Sequence, residues 1–430
     1  MREGFRKLKL GDFTETINGL WTGKKEPFIP VKVYTMSNFT KESDLDKQKE
    51  PREVIASLSQ YEKRKLKYGD ILIEKSGGGP NQPVGRAVFF SITNNENNTF
   101  SNFTTRLRII SNHIDEVDSH YLHKYLKFIY MIGETEKFQK NSTNIRNLQL
   151  KEYLGLEIPI PPLEEQKQIV AILDKAFTVI DQAKANIEKN IENAKELFQS
   201  KLNDIFSNPS TGSGQDSDGW YEKSLKEITT KIGSGATPRG GQASYKESGI
   251  SLIRSMNVHD DGFREKKLAF IDDKQANKLN NVTIEENDVL LNITGASVAR
   301  CCVVNNTFLP ARVNQHVSII RLKEGIMNHR FLHYALTSKK TKDLLLGIGE
   351  QGATRQAITK VQLENFKIAF PSNIETQNKF VKLFDELRSN TEKIESNYKQ
   401  KIEDLDELKK SILQKAFAGA LTKEKNYGSV

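Results

Sequence analysis

The chain has 430 residues, enough for two or three domains with buried cores, and carries a formal charge of +9. That excess and a pI near 9.1 favour a polyanionic partner, nucleic acid or an acidic membrane surface. No apolar run reaches membrane-spanning length, MREGFRKLKL at the amino terminus lacks the apolar core of a signal peptide, and the only cysteines, Cys301 and Cys302, are adjacent. These features argue against a spanning protein, a disulfide framework and a thiolate metal site, and the expected location is the cytoplasm.

Residues 1–155 read as a mixed α/β domain, with short strands in PVKVYTM, GDILIEK and GRAVFF and a helix over residues 119–130. Its most unusual loop is SGGGPNQP at residues 76–83, where consecutive glycines permit positive φ or close backbone approach to another molecule.

A long uninterrupted stretch follows. Residues 163–206 contain neither Gly nor Pro, and apolar or small residues recur at Ile169, Leu173, Ala176, Ile180, Ala183, Ile187, Ile191, Ala194, Phe198 and Ile205. This three-and-four spacing keeps one stripe against a partner helix, as in a coiled coil. Pro161 and Pro162 punctuate the start, Glu164 and Glu165 suit the positive end of the helix dipole, and Asn208, Pro209 and Gly212 end it. At about 1.5 Å per residue the helix is roughly 65 Å long, too long for the inside of one compact domain. A Gly/Ser-rich linker occupies residues 209–219, and Trp220 opens the next segment.

Residues 220–370 repeat the plan of the first domain. YGDILIEK matches ENDVLLNI, YLHKYLK matches FLHYALT, and LGLEIPIPP matches ENFKIAFPS before a second long helix. Asp70 and Asp288 are 218 residues apart, Arg86 and Arg300 are 214 apart, and His123 and His333 are 210 apart. A drift in one direction, with four extra residues in SGGGPNQP, is what a duplication with loop changes produces. The second seam runs through Phe380, Phe384, Leu387, Thr391, Ile394, Tyr398, Ile402, Leu405, Ile412 and Ala416, with Gln377 answering Gln166. The expected fold class is α+β: two pseudo-repeated mixed α/β domains separated by two long helices forming an intramolecular antiparallel coiled coil. The expected boundaries are 1–155, first helix 156–208, linker 209–219, second domain 220–370, second helix 371–422 and tail 423–430.

Catalytic patterns are missing. Gly347, Gly349 and Gly352 make a lone GxGxxG, but a helical run precedes it where a dinucleotide fingerprint needs a strand. There is no GxxxxGK[ST] loop and no Asn-Pro-Pro-aromatic motif. Asp70, Glu74 and Lys75 are the nearest approach to a Mg²⁺ nuclease cluster, but Asn292 and Ile293 replace the last two in the repeat. His123 and His333 lie on amphipathic helices without Cys or acid at ligand spacing, and His329 with His333 makes only a pair.

The remaining chemistry is binding. Loops of the first domain carry Lys24, Lys25, Tyr34, Asn38, Ser76, Gly77, Gly78, Asn81, Gln82, Arg86, Asn102, Thr104, Thr105, Arg106, Asn144 and Arg146. Those of the second carry Thr237, Arg239, Arg254, Asn257, Thr294, Ala296, Ser297, Arg300, Asn314, Gln315, His316, Thr354, Arg355 and Gln356. Arg and Lys pair with phosphates and guanine edges, Asn and Gln with adenine edges, and glycine loops bring backbone donors close to phosphates. Duplicated in position and varied in identity, the set reads as two DNA-reading surfaces; the alternative is a coiled-coil scaffold with two protein-binding domains and incidental charge.

With IPIPPLEEQKQIVAILD leading into the first helix, GDILIEKSG and NDVLLNITGAS in the two domains, GATRQAI before the second helix and LKKSILQKAFAGALT after it, the sequence resembles the specificity subunit of type I restriction-modification systems over nearly its whole length. The resemblance implies two target recognition domains, each reading half of an interrupted double-stranded DNA target, and a subunit with no catalysis, metal or cofactor of its own. It also implies two methyltransferase subunits that use S-adenosylmethionine to methylate adenine, and motor-nuclease restriction subunits that use ATP and Mg²⁺. It sets the DNA-facing loops at residues 294–297, 314–316 and 352–356, and at 76–79, 102–104 and 142–146 in the first domain. SGGGPNQP is longer than TGAS, and NSTN stands where the second domain has GATRQ.

Overall fold

The computed structural model describes residues 5–40, 42–46, 48–79, 82–94, 96–142, 145–207, 219–350 and 356–421. Asn81, Asn144, Thr354, Arg355, the linker except residue 219, and the tail lie outside the described residues. The chain divides into two compact units, residues 1–187 with 400–430 and residues 188–399, so each unit holds one globular domain and part of each long helix.

In the first unit, strands β1 (Thr14–Asn18), β2 (Ile71–Glu74), β3 (Ala87–Phe89) and β4 (Thr104–Ile109) form an antiparallel sheet in the order β1-β4-β2-β3. A second sheet sets Phe28–Tyr34 between an antiparallel Arg52–Ser57 and a parallel Asn98–Phe100. Helix α1 (Ser119–Met131) begins at an Asp118 cap, whose carboxylate accepts the Tyr121 N–H at 2.8 Å. It packs Leu122, Leu126 and Ile129 into a core that also holds Ile71, Ile73 and Leu107. Helix α2 (Leu163–Ser207) starts after Pro162 and adds Ile169, Leu173 and Phe177 to that core, beside Leu413 and Phe417 of the other long helix.

The second unit repeats this. Strands β5 (Thr229–Ser234), β6 (Val289–Asn292), β7 (Cys301–Val303) and β8 (Val317–Leu322) are ordered β5-β8-β6-β7, with the same hand-to-hand pairing. Ile250–Ile253 lies between an antiparallel Ala269–Ile271 and a parallel Ala311–Val313. Helix α3 (His329–Thr337) starts from an Asn328 cap, and helix α4 (Ile374–Phe417) is the second long helix. Ile71 pairs with Leu107 as Val289 pairs with Ile320, and Ala87 faces Ile73 as Cys301 faces Leu291. The two sheets therefore share topology and, apart from a bulge between Thr229 and Lys231 at the edge of the second, register, and the expected fold class holds.

The long helices pair in both units. Lys184 bonds Asp406 at 2.8 Å and Lys409 meets Asp181 in the first, while Lys195 meets Glu395 at 3.1 Å in the second. Ile394 departs from the expected seam: it is 38% exposed, and Glu395 takes the inward position, where Lys195 and Lys399 reach its carboxylate. Those two lysines hold the Glu395 carboxyl below the usual range. Among the described residues no helix is long and apolar enough to cross a membrane.

Candidate nucleic-acid interface

Three loops meet at one end of each four-stranded sheet, and four backbone bonds fix them. The Lys75 N–H donates to the Phe103 carbonyl at 2.9 Å and Leu148 N–H to the Lys75 carbonyl at 2.8 Å; Ile293 N–H donates to His316 at 3.0 Å and Ile358 N–H to Ile293 at 2.8 Å. These bonds set Phe103 against His316 and Arg146 against Gln356 as repeat partners. A fourth segment enters through Gly19 in one domain and Gly235 in the other. A Cβ on either would stand 1.8 Å from a carbonyl oxygen, of Ser101 or Val313, so the chain passes there only as glycine.

In the second domain the loops build an open cleft of about 530 Å³ lined by Ser255, Thr294, Ser297, Arg300, His316 and Gln356, with Ala296 beside them. Its wall is a chain of hydrogen bonds. Thr237 Oγ1 donates to Gln315 Oε1, Gln315 Nε2 to His316 Nε2 at 3.1 Å, and the proton left on His316 Nδ1 faces Thr294 Oγ1 at 2.5 Å. The Asn314 carboxamide oxygen accepts the His316 N–H at 3.0 Å and holds the loop from within. Among the described residues the Arg300 guanidinium makes no hydrogen bond or ion pair, which leaves five donors beside the cleft.

Not every residue expected to face a ligand does so. Arg86 is buried: its Nε donates to Glu74 at 3.2 Å, Nη1 to the Thr40 carbonyl at 3.0 Å, and the guanidinium lies over Phe39. Burial raises the Glu74 carboxyl, with Arg86 opposing the shift. Asn292 replaces Glu74 in the repeat, and so Arg300 is released where Arg86 is held. Arg106 is also buried, bonded to Glu15 at 2.7 Å and to the Lys65 carbonyl. Asn38 and Asn257 are buried in one shared role. Each accepts the backbone N–H three residues earlier, of Thr35 or Arg254, and donates to a distant loop carbonyl, of Lys49 or Arg264, at 2.8 Å. Tyr34 packs edge-on against Phe90 in the core. Thr104 and Thr105 are buried, with their hydroxyls on the carbonyls of Ser101 and Ile17, and Gly78 is buried too. These are framework positions: all are buried, and the polar side-chain atoms of Asn38, Asn257, Thr104 and Thr105 and the guanidinium of Arg86 are bonded within the protein.

The surface keeps Lys24, Lys25, Gly77, Gln82, Arg239, Ala296, Gln315 and Gln356, all exposed. Ser76, Asn102, Arg146, Thr237, Arg254, Thr294, Ser297, Arg300 and His316 are half-buried. Of these, Ser76 bonds Asn147 at 2.6 Å, Arg146 reaches Glu136 at 3.3 Å, and Arg254 lies over Tyr245. Met36, Arg52 and Phe103 stand together at the same end of the first domain; Phe103 lies in the expected loop 102–104 and Met36 between the expected Tyr34 and Asn38, whereas Arg52 lies outside the expected loops.

The sequence's other candidates for chemistry are structural. Asp70 is clamped by Arg108 at 2.6 and 2.7 Å, as Asp288 is by Arg321 at 2.8 Å twice, so neither carboxylate is open to a metal. Among the described residues no group of three His, Cys, Asp or Glu is placed to hold an ion. Burial drives His123 down to about 3 and His333 to about 4, with Lys127 and Arg388 adding to the respective shifts. Burial pushes the Cys302 thiol up to about 12.

A family model described as type I restriction modification DNA specificity domain matches residues 2–193 and again 217–404. The chain is 25% identical over 300 residues to the type I restriction enzyme EcoBI specificity subunit of Escherichia coli, covering 66% of this chain and 62% of that protein, so the match spans less than two thirds of that relative. It is 26% identical over 297 residues to the MjaVIII specificity subunit of Methanocaldococcus jannaschii, covering 66% of this chain and 67% of that one. Among solved structures, a chain from one described as the structural basis underlying complex assembly and conformational transition of the type I R-M system superposes with a TM-score of 0.74 at 19% identity, over 98% of this chain and 99% of that one. The HsdS subunit from Thermoanaerobacter tengcongensis gives 0.58 at 18% identity, over 97% and 98%. At such identities the likeness is one of fold. With the duplicated sheets, the paired long helices and two successive matches to one family model, the chain belongs to the type I restriction modification DNA specificity family.

Proposed function

We propose that this chain is the DNA-reading specificity subunit of a type I restriction-modification system, working in the cytoplasm, and that its two loop clusters each read one half of an interrupted target. The observation that carries the reading is the convergence of the same loops at the same end of two sheets of the same topology, with different side chains at equivalent positions. A framework that is kept while its tips vary is suited to reading two unlike sequences. Exposed Lys24, Lys25 and Arg239 supply phosphate contacts, and Arg300, Gln315 and Gln356 supply donors and acceptors for base edges.

In this reading the long helices act as a ruler between half-sites, and their outer faces receive two methyltransferase subunits. Restriction subunits complete the assembly. S-adenosylmethionine, ATP and Mg²⁺ belong to those partners, and this chain contributes recognition without catalysis.

A gel-shift titration of the full chain against salt tests the reading. Each neutralised phosphate steepens the fall of log affinity with log salt by about 0.9. A steep negative slope with preference for one bipartite sequence is expected; a slope near zero would instead favour a scaffold that binds proteins.

A further inference from the structure

The reading end of the first domain holds a cleft of about 380 Å³ whose chemistry differs from that of its repeat partner. Met36 takes the place of Ser255, as the shared bonding of Asn38 and Asn257 two residues on shows. Phe103 takes the place of His316, as the equivalent bonds from Lys75 and Ile293 show. Leu20, Val33 and Val54 complete the apolar wall. At these two positions the second domain presents a hydroxyl and an imidazole where the first presents a thioether and a phenyl ring, while Thr22, Thr35, Ser37 and Ser101 add hydroxyls to the lining of the first cleft. Phe103 is 50% exposed, although its carbonyl is anchored by the Lys75 and Ser76 N–H groups, so the ring is displayed by a fixed loop.

Polar and charged groups surround this wall. Arg52 lines the cleft, is exposed, and its guanidinium makes no ion pair or hydrogen bond among the described residues. Asn102 brings a carboxamide to the edge, and Lys24 and Lys25 stand exposed a few residues beyond Leu20. An apolar wall with cations beside it matches one feature of the major groove: the 5-methyl group of thymine, which is the only carbon substituent exposed there, next to the O4 acceptor and close to the phosphates.

Resting on the DNA-reading function above, we propose that this cleft is a thymine-methyl subsite, with Phe103 and Met36 as specificity-determining contacts for the first half-site. Arg52 and Asn102 then face the polar atoms next to that methyl. The second domain's cleft, built from Thr294, His316 and Arg300, reads its half-site through hydrogen bonds instead.

The test uses the full chain and its own target duplex, with each thymine replaced in turn by uracil, which deletes only the methyl. A buried methyl is worth about 0.8 kcal/mol, and a tenfold change in affinity about 1.4 kcal/mol, so one thymine of the first half-site should lose about fourfold in affinity as uracil. In Phe103→Ser and, independently, in Met36→Ser, the ratio of thymine to uracil binding at that position should fall towards one, while the ratios in the second half-site keep their values. A first half-site without thymine, no uracil effect at any of its thymines, or an undiminished ratio in both variants overturns the proposal. Failure of the DNA-reading function looks different: binding then has no sequence preference or no salt dependence, whichever base is present.

Discussion

The Oε1 atom of Gln166 accepts the backbone N–H of Asp118 at 2.8 Å, so the residue that caps helix α1 is itself held by the first turn of helix α2. The Gln166 amide donates to the carbonyls of Glu116 and Pro161, both at 2.7 Å. Gln377 repeats the arrangement, accepting from Asn328 at 2.8 Å and donating to Ile326 and Pro371. Both glutamines are fully buried. This polar joint fixes each long helix to the domain in its own unit.

Replacing Gln166 by Leu keeps the volume and leaves one N–H and two carbonyls without partners. Each unsatisfied buried group costs about 1–3 kcal/mol, so Gln166→Leu should lose about 3 kcal/mol in urea denaturation, and Gln377→Leu should do likewise. A loss below about 1 kcal/mol in both would show that the joint is not a structural anchor.

Arg86 and Arg300 occupy equivalent positions and should respond in opposite ways. Arg86→Ala strands the Glu74 carboxylate, which is 1% exposed, and removal of one partner of a buried pair costs about 3–5 kcal/mol. Arg300→Ala should change stability by less than about 0.5 kcal/mol and weaken DNA binding. Thermal unfolding and a binding isotherm on the two variants check this contrast.

The two buried histidines make stability fall in acid. His123 at about 3 and His333 at about 4 both lie below their ordinary value of 6.5, so the unfolded chain takes up their protons first. Their contribution is complete above neutrality and is lost as pH drops through 6.5 towards 4, at about 1.4 kcal/mol per pH unit for each histidine. His123→Gln, which keeps a donor for the carbonyls of Ser43 and Ala87, should remove its share of that slope between pH 6 and 5. Denaturation midpoints measured across that interval will show it.

Exposed lysines should act on salt dependence alone. Lys24→Ala or Lys25→Ala should each reduce the slope of log affinity against log salt by about 0.9, with unfolding unchanged. Equal weakening at all salt concentrations would remove these residues from the phosphate contacts.

The duplication was legible because it rests on spacing: Asp70 and Asp288, Ala87 and Cys301, and His123 and His333 keep their places in strands and helices that core packing requires. Side-chain direction was not. Arg86 and Arg300 look alike in the sequence, and only the carboxylate of Glu74, absent at Asn292, turns one inward. Asn38 and Asn257 resemble base-reading amides, yet both close a turn, a duty that depends on carbonyls at Lys49 and Arg264 contributed by distant loops. Phe103 falls within the expected loop 102–104, but a half-exposed phenyl ring carries no polar signature that marks it as a contact; the register shared by strands β4 and β8 sets it as the partner of His316. At Ile394 the heptad pattern was read one residue early, because Glu395 turns inward to meet Lys195.

Exchange of residues 1–155 for the same segment of a relative, followed by genome-wide mapping of methylated adenines in cells that carry the partner subunits, bears most directly on the division of labour between the two domains. One half of the bipartite motif should change to the donor's sequence while the other half and the gap stay as they were. A change in both halves, or a motif without two halves, would contradict it.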